Sequence, residues 1–163
     1  ILSLSVSAQK PTKAEKAAQL EQEFQQTRQL IESNHFQFEL NRVYPQDGQD
    51  LSRFNPRGKF VITDSVAKGT LPFFGRAYSL PYGEGGGIEF DGVMKDQSLK
   101  IEHKKKRKIL IYRFSITAKN DTYQISMEIS GGGNCSVNLN SNNRAQISYS
   151  GTVSPVKDET GKS

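Results

Sequence analysis

The polar and apolar positions of this 163-residue chain change period once, near residue 35. Before it, Ala17, Leu20, Phe24, Thr27 and Ile31 recur at helical spacing, with Lys13, Glu21, Gln22, Gln25, Arg28, Gln29 and Glu32 on the opposite side. Thr12-Lys-Ala-Glu15 has the form of a capping box. The pattern predicts one amphipathic helix from about Lys13 to about Ser33, stopping at Asn34, with an Ala- and Gln-rich first half that has little to bury. After it the period is two. Phe36, Phe38 and Leu40 alternate with polar neighbours, as do Ile88 and Phe90, Leu99 and Ile101, Tyr123 to Ile129, Cys135 to Leu139, and Ile147 to Val153. Phe60-Val-Ile62 and Val66 to Leu71 form a pair turned by Asp64-Ser65, and Pro72 ends the second. Ile109 to Ile116 is apolar on both faces, the mark of a central strand covered twice. Turns are expected at Pro45-Gln-Asp-Gly48, Lys95-Asp96-Gln97, Lys119-Asn-Asp121 and Gly131-Gly-Gly-Asn134, and a loop at Asn140 to Arg144.

The expected class is therefore α+β and mostly antiparallel β. About eight short strands, spaced by ~8–12 residues, form a meander that closes into a sandwich or a partly open barrel, with the N-terminal helix packed on it. There is no βαβ alternation and no internal repeat. The length predicts one domain, here residues 9–156, with a loose polar tail over 157–163.

One stretch departs from strand and helix composition. Leu71 to Gly87 holds four aromatics, two prolines, five glycines and one arginine. Its glycines do not make a phosphate loop, because Ile88-Glu-Phe90 follows as a strand where a Lys, a Ser or Thr, and a helix are needed. The glycines read as a tight loop. Phe74, Arg76 and Tyr78 share parity if the stretch is extended, and an arginine between aromatics can stack while presenting its planar donor fork. Phe74, Arg76, Tyr78 and Tyr82, together with Arg144 of the Asn-Asn-Arg loop, are the candidate ligand contacts, for a carboxylate or a sugar. The competing reading is structural, with Arg76 bonding loop carbonyls and the phenylalanines filling the core.

Charge adds a single local feature. Of 22 Lys and Arg, five form the run Lys104-Lys105-Lys106-Arg107-Lys108, and those outside it match the 17 Asp and Glu in number. The net charge of +5 is thus one patch. Proteins that wrap nucleic acid spread their basic residues over a face, so nucleic acid is not the expected partner. The run reads as a solvated hairpin tip whose lysines discourage edge pairing, or as a contact for an anionic surface. One cysteine, Cys135, and two histidines, His35 and His103, leave no disulfide and no metal cluster to propose, and no cofactor motif is present. Nucleophile-elbow and metalloprotease signatures are absent, and no catalytic residue is assigned. Glu84, Glu89, Asp91 and Asp96 are the carboxylates that a glycan hydrolase would have to use.

Residues 1–8, Ile-Leu-Ser-Leu-Ser-Val-Ser-Ala, have the character of the end of a signal peptide, with Val6 and Ala8 at the −3 and −1 places and Gln9 as the first mature residue. Export to the periplasm or beyond is the expectation. No other stretch approaches the ~18 apolar residues of a membrane helix.

Leu71-Pro-Phe-Phe-Gly-Arg-Ala-Tyr78, Gly86-Gly87-Ile88 and the late Ser141-Asn-Asn-Arg144 with Ile147-Ser-Tyr149-Ser-Gly151 resemble the domain of unknown function 4251, a family of exported Bacteroidetes proteins. The resemblance spans roughly Leu30 to Val153. It implies export and transfers no catalytic residue, since the family has no assigned activity. Many members carry a lipobox cysteine. The Ala8-Gln9 junction does not imply that anchor here. The functional expectation is a non-enzymatic binding or accessory domain of the cell envelope, with a small molecule or envelope glycan as partner. An acidic-residue hydrolase and an anionic-surface module are the alternatives.

Overall fold

A computed structural model describes residues 10–46, 48, 56–73, 87–118 and 121–157. Helix α1 spans Lys13–Glu32 and opens on the expected capping box. The Glu15 amide donates to Thr12 Oγ1 at 3.2 Å, and the Thr12 amide donates to the Glu15 carboxylate at 3.1 Å. Asn34 ends it in the left-handed region at φ 52°. Its buried residues are Phe24, Thr27 and Ile31. Leu20, expected in the same stripe, is 64% exposed, because every residue from Lys13 to Gln22 is exposed and that half of the helix has no surface to lie on.

Nine strands follow among the described residues: β1 (His35–Pro45), β2 (Lys59–Thr63), β3 (Val66–Leu71), β4 (Ile88–Val93), β5 (Lys95–Lys104), β6 (Arg107–Thr117), β7 (Thr122–Ser130), β8 (Asn134–Ser141) and β9 (Ile147–Pro155). They make one sheet in the order β4-β3-β2-β1-β9-β8-β7-β6-β5, antiparallel throughout. The meander is thus circular. β9 returns to pair with β1, from Phe36↔Pro155 to Pro45↔Ile147, and the seam falls between β4 and β5.

That seam dictates the shape. β4 and β5 are opposite edges of the sheet, yet only Met94 separates them in the chain. In a flat sheet, eight strand spacings of ~4.8 Å would hold the edges ~38 Å apart, whereas one residue spans ~3.5 Å. The sheet must curl until its edges meet. The result is a curled half-barrel, not two stacked sheets. The expected count of about eight strands was low by one, and the turn expected at Lys95-Asp96-Gln97 is absent. The chain there passes from one edge to the other, with Asp96 at φ 55° and a register shift between Lys95 and Ser98. β6 is also not central. It lies next to the edge, and its outward Ile111 is buried beside the Lys104–Glu128 ion pair.

The core fills the curl with side chains from both halves. Phe60 of β2 sits at its centre, with ring centroids 5.1 Å from Phe38, 5.6 Å from Phe90 and 6.4 Å from Phe114 of the far wall. Phe90 meets Tyr123 at 6.3 Å, and Phe36 meets Tyr112 at 6.0 Å. Helix α1 covers the end that holds the β7–β8 turn. Thr27 Oγ1 donates to the Gly131 carbonyl at 2.7 Å, and Phe24 packs against Gly131. Glu21 takes Lys108 at 2.9 Å. One outward residue is buried against expectation. Gln37 lies beneath the chain just past β9, donating to Glu39 at 2.6 Å and accepting from the Lys157 amide at 3.3 Å. Lys157 is therefore tied down, and the expected loose tail lies outside the described residues beyond it.

Candidate functional site

The site starts from a difference between two hairpins. β2 and β3 are joined by two residues, whereas β3 and β4 pair up to Leu71↔Ile88 with the whole aromatic-glycine stretch inserted between. Phe74, Arg76, Tyr78 and Tyr82, the candidate contacts in that insertion, lie outside the described residues, as does Glu84. Its two feet, Pro72-Phe73 and Gly87, are described, and they are held by Arg144 of the β8–β9 connection and by Tyr149 of β9.

Arg144 is the centre of this arrangement. Ser141 shapes the connection, its Oγ accepting from the Asn143 amide at 3.0 Å and donating to Asp121 of the β6–β7 turn. Arg144 is thereby turned inward and is only 5% exposed. Its Nη1 donates to the Gly87 carbonyl at 3.0 Å, and its guanidinium lies 5.2 Å from the Phe73 ring centre. Tyr149, 1% exposed, donates its hydroxyl to the Pro72 carbonyl at 2.7 Å. Burial raises the Tyr149 pKa, and the nearby Arg144 charge offsets part of that rise. Tyr149 is therefore a neutral donor throughout the physiological range. One foot of the insertion is pinned by an arginine and the other by a tyrosine.

Arg144 is incompletely satisfied. Its Nε is buried without a hydrogen-bond partner, and among the described residues no carboxylate pairs with its charge. A buried cation ordinarily has an anion or a full set of acceptors.

These contacts bring Pro72, Phe73 and Gly87 of the first motif against Arg144 and Tyr149 of the second. The family model of DUF4251, a domain of unknown function, matches residues 18–153. The chain belongs to the DUF4251 family. A crystal structure of a DUF4251 family protein from Bacteroides eggerthii is similar in fold, with a TM-score of 0.58 and 22% identity over 90% of this chain and 98% of that one. No curated protein matches.

Elsewhere in this DUF4251 chain the other candidates are weaker. The basic run forms the β5–β6 hairpin, with Lys105 in the left-handed region at φ 53°. Lys104 is paired with Glu128 at 3.0 Å, and Lys108 is paired with Glu21 and lies 5.6 Å from the Phe24 ring centre. Lys105, Lys106 and Arg107 remain as the tip of a smaller basic patch. Glu89 and Asp91 sit side by side on the outer face of β4, both exposed, with Asp91 4.0 Å from Lys68. Asp96 is exposed on β5. Among the described residues none of these three faces a second carboxylate across a cleft, as paired glycosidase carboxylates must.

Glu89 and Asp91 do line a groove of about 900 Å³ on the outer face of β1–β4, with Lys59, Lys68 and Lys157. Its mixed charges single out no chemistry. Cys135 is buried, and that burial, reinforced by Glu128, raises its thiol pKa well above the ordinary range, so it is no nucleophile. Among the described residues no three His, Cys, Asp or Glu come together as a metal site, and no helix is long and apolar enough to cross a membrane.

Local sequence reasoning missed Tyr149 and Ser141 as parts of this cluster. Tyr149 reads as a core residue of a regular strand, and its polar tip declares itself only through Pro72. The pairing of the two family motifs was the one available signal.

Proposed function

We propose that this protein is an exported, non-enzymatic binding or accessory domain of the cell envelope, and that its ligand is held at the Arg144 end of the half-barrel. The observation that carries this reading is a guanidinium at 5% exposure with an unfilled Nε and no described counter-charge. A side chain kept only to pin Gly87 would need neither the charge nor the second donor edge. Export is supported by the Val6-x-Ala8 junction and by the exported character of the family that the motifs resemble.

Two measurements test the reading. A precursor with a start Met and basic n-region ahead of Ile1, made in a Gram-negative host, is expected in the periplasmic fraction with Gln9 as its first residue. Retention in the cytoplasm at full length refutes export. Native mass spectrometry of the periplasmic protein is expected to show a bound small molecule that Arg144→Met no longer retains. Protein that carries nothing, or a ligand retained equally by the variant, refutes the placement at Arg144.

A further inference from the structure

The free donors of Arg144 specify more than a location, and this inference rests on the reading just given. A guanidinium has one edge on which Nε–H and Nη2–H point the same way, and that edge matches the two oxygens of a carboxylate. In this structure Nη1 is spent on the Gly87 carbonyl, Nε has no partner, and no described hydrogen bond engages Nη2. The edge left free is the bidentate one.

We infer that Arg144 receives a carboxylate, bound side-on through Nε and Nη2. Charge supports one carboxylate over a phosphate dianion. Arg144 carries one positive charge, no described ion pair engages it directly, and one monoanion matches that single charge where a dianion would exceed it. The neighbours fit the same partner. The Phe73 ring stacks on the guanidinium without taking a hydrogen bond from it, and Tyr149 is committed to Pro72 and does not compete for the anion. The Gly87 carbonyl, fixed as an acceptor, orients the guanidinium, so little freedom is lost when the anion arrives. A uronic acid, a peptide C-terminus and a free organic acid all present this group.

The test uses the whole protein with nitrogen-15-labelled arginine. Galacturonate, an N-acetylated dipeptide with a free C-terminus, and citrate are titrated against galactose and the amidated dipeptide at matched ionic strength. At least one acid is expected to move the Arg144 Nε–H signal to saturation while its neutral counterpart does not. Which acid does so identifies the source. Arg144→Lys keeps the charge and loses the edge, and is expected to weaken binding roughly tenfold or more. Its unliganded melting temperature reports whether it folds. Arg144→Gln, which keeps a donor for Gly87, serves if the lysine variant does not.

Equal response to acids and neutral counterparts, or an unmoved Nε–H signal, overturns the carboxylate. A neutral molecule found on the periplasmic protein would overturn it too, while leaving the binding reading intact. Protein that is empty and silent to every probe removes both.

Discussion

Phe60 and Phe114 test the curl directly. Five strand spacings separate β2 from β6 in the sheet order, which is ~24 Å in a flat sheet. Their ring centroids are nevertheless 6.4 Å apart with an interplanar angle of 67°, an edge-to-face contact across the interior. Phe60→Leu and Phe114→Leu each keep most of the volume and remove the ring. Each alone is expected to destabilise, well short of the ~3–5 kcal/mol of a Phe→Ala truncation at a fully buried site. The informative quantity is the coupling. Aromatic pairs in contact contribute ~0.5–1.5 kcal/mol beyond their buried area, so the double variant should lose less than the two single losses together by about that amount. Chemical unfolding of the wild type, both single variants and the double variant closes the cycle. For a chain of this length, 1 kcal/mol corresponds to ~2–4 °C in Tm, so thermal melts provide a second reading. Distant sites add to within ~0.3–0.5 kcal/mol. Additivity of these two variants within that limit would mean that the rings do not meet, and the edge-to-edge curl argued from Met94 would fall with it.

Two further outcomes follow from the fold. At Gly151, where β9 passes the β1 bulge, a Cβ would lie 2.0 Å from the Glu39 carbonyl and 2.8 Å from the Phe38 ring, whereas at Gly132 it would meet nothing within 4 Å. In urea unfolding, Gly151→Ala is expected to cost at least ~1–3 kcal/mol and Gly132→Ala no more than ~0.5 kcal/mol, and equal effects would refute the close approach. The Glu21 carboxyl is held below its usual range, chiefly by the Lys108 hydrogen bond and then by Gln25. A depressed folded pKa means that its contribution is present above the ordinary carboxylate range and is lost as pH falls through the folded value. The helix contact should therefore loosen as pH falls below the ordinary glutamate range. Amide exchange in α1 should show this in the wild type and not in Glu21→Gln, and identical profiles would show that the pair does not hold the helix.

Much of the fold was legible because strands announce themselves locally. Tyr123 to Ile129 alternates strictly, and β7 buries Tyr123, Ile125, Met127 and Ile129 with no help from the rest of the chain. Asp64-Ser65 and Gly131-Gly-Gly turn the chain where expected, because a turn is decided by the residues within it. The misreadings have non-local causes. Leu20 belongs to a correct helical stripe, but the sheet ends before reaching it. Gln37 has outward parity and is buried because the chain just past β9, at Lys157, folds over it. Lys95-Asp96-Gln97 has turn composition, and the left-handed Asp96 is used instead to carry one strand from edge to edge. At the site, the sequence pointed to Arg144 without its surroundings. Ser141, Asp121 and Tyr149 became parts of the site only through contacts 20 and 77 residues distant in the chain, Ser141 with Asp121 and Tyr149 with Pro72.

By itself the sequence determined the helix with its capping box, most of the strand positions and their inward faces (Ile101 of β5, exposed, is an exception), the family motifs and the local character of the basic charge. These depend on side-chain period and turn chemistry within a few residues. Only the tertiary structure decided that β9 closes on β1, that a seam at Met94 forces the sheet to curl, and that the two family motifs meet around one buried arginine. Strand partners and register are settled by contacts across the whole chain, and a guanidinium's unfilled edge is visible only against the neighbours that the fold brings to it.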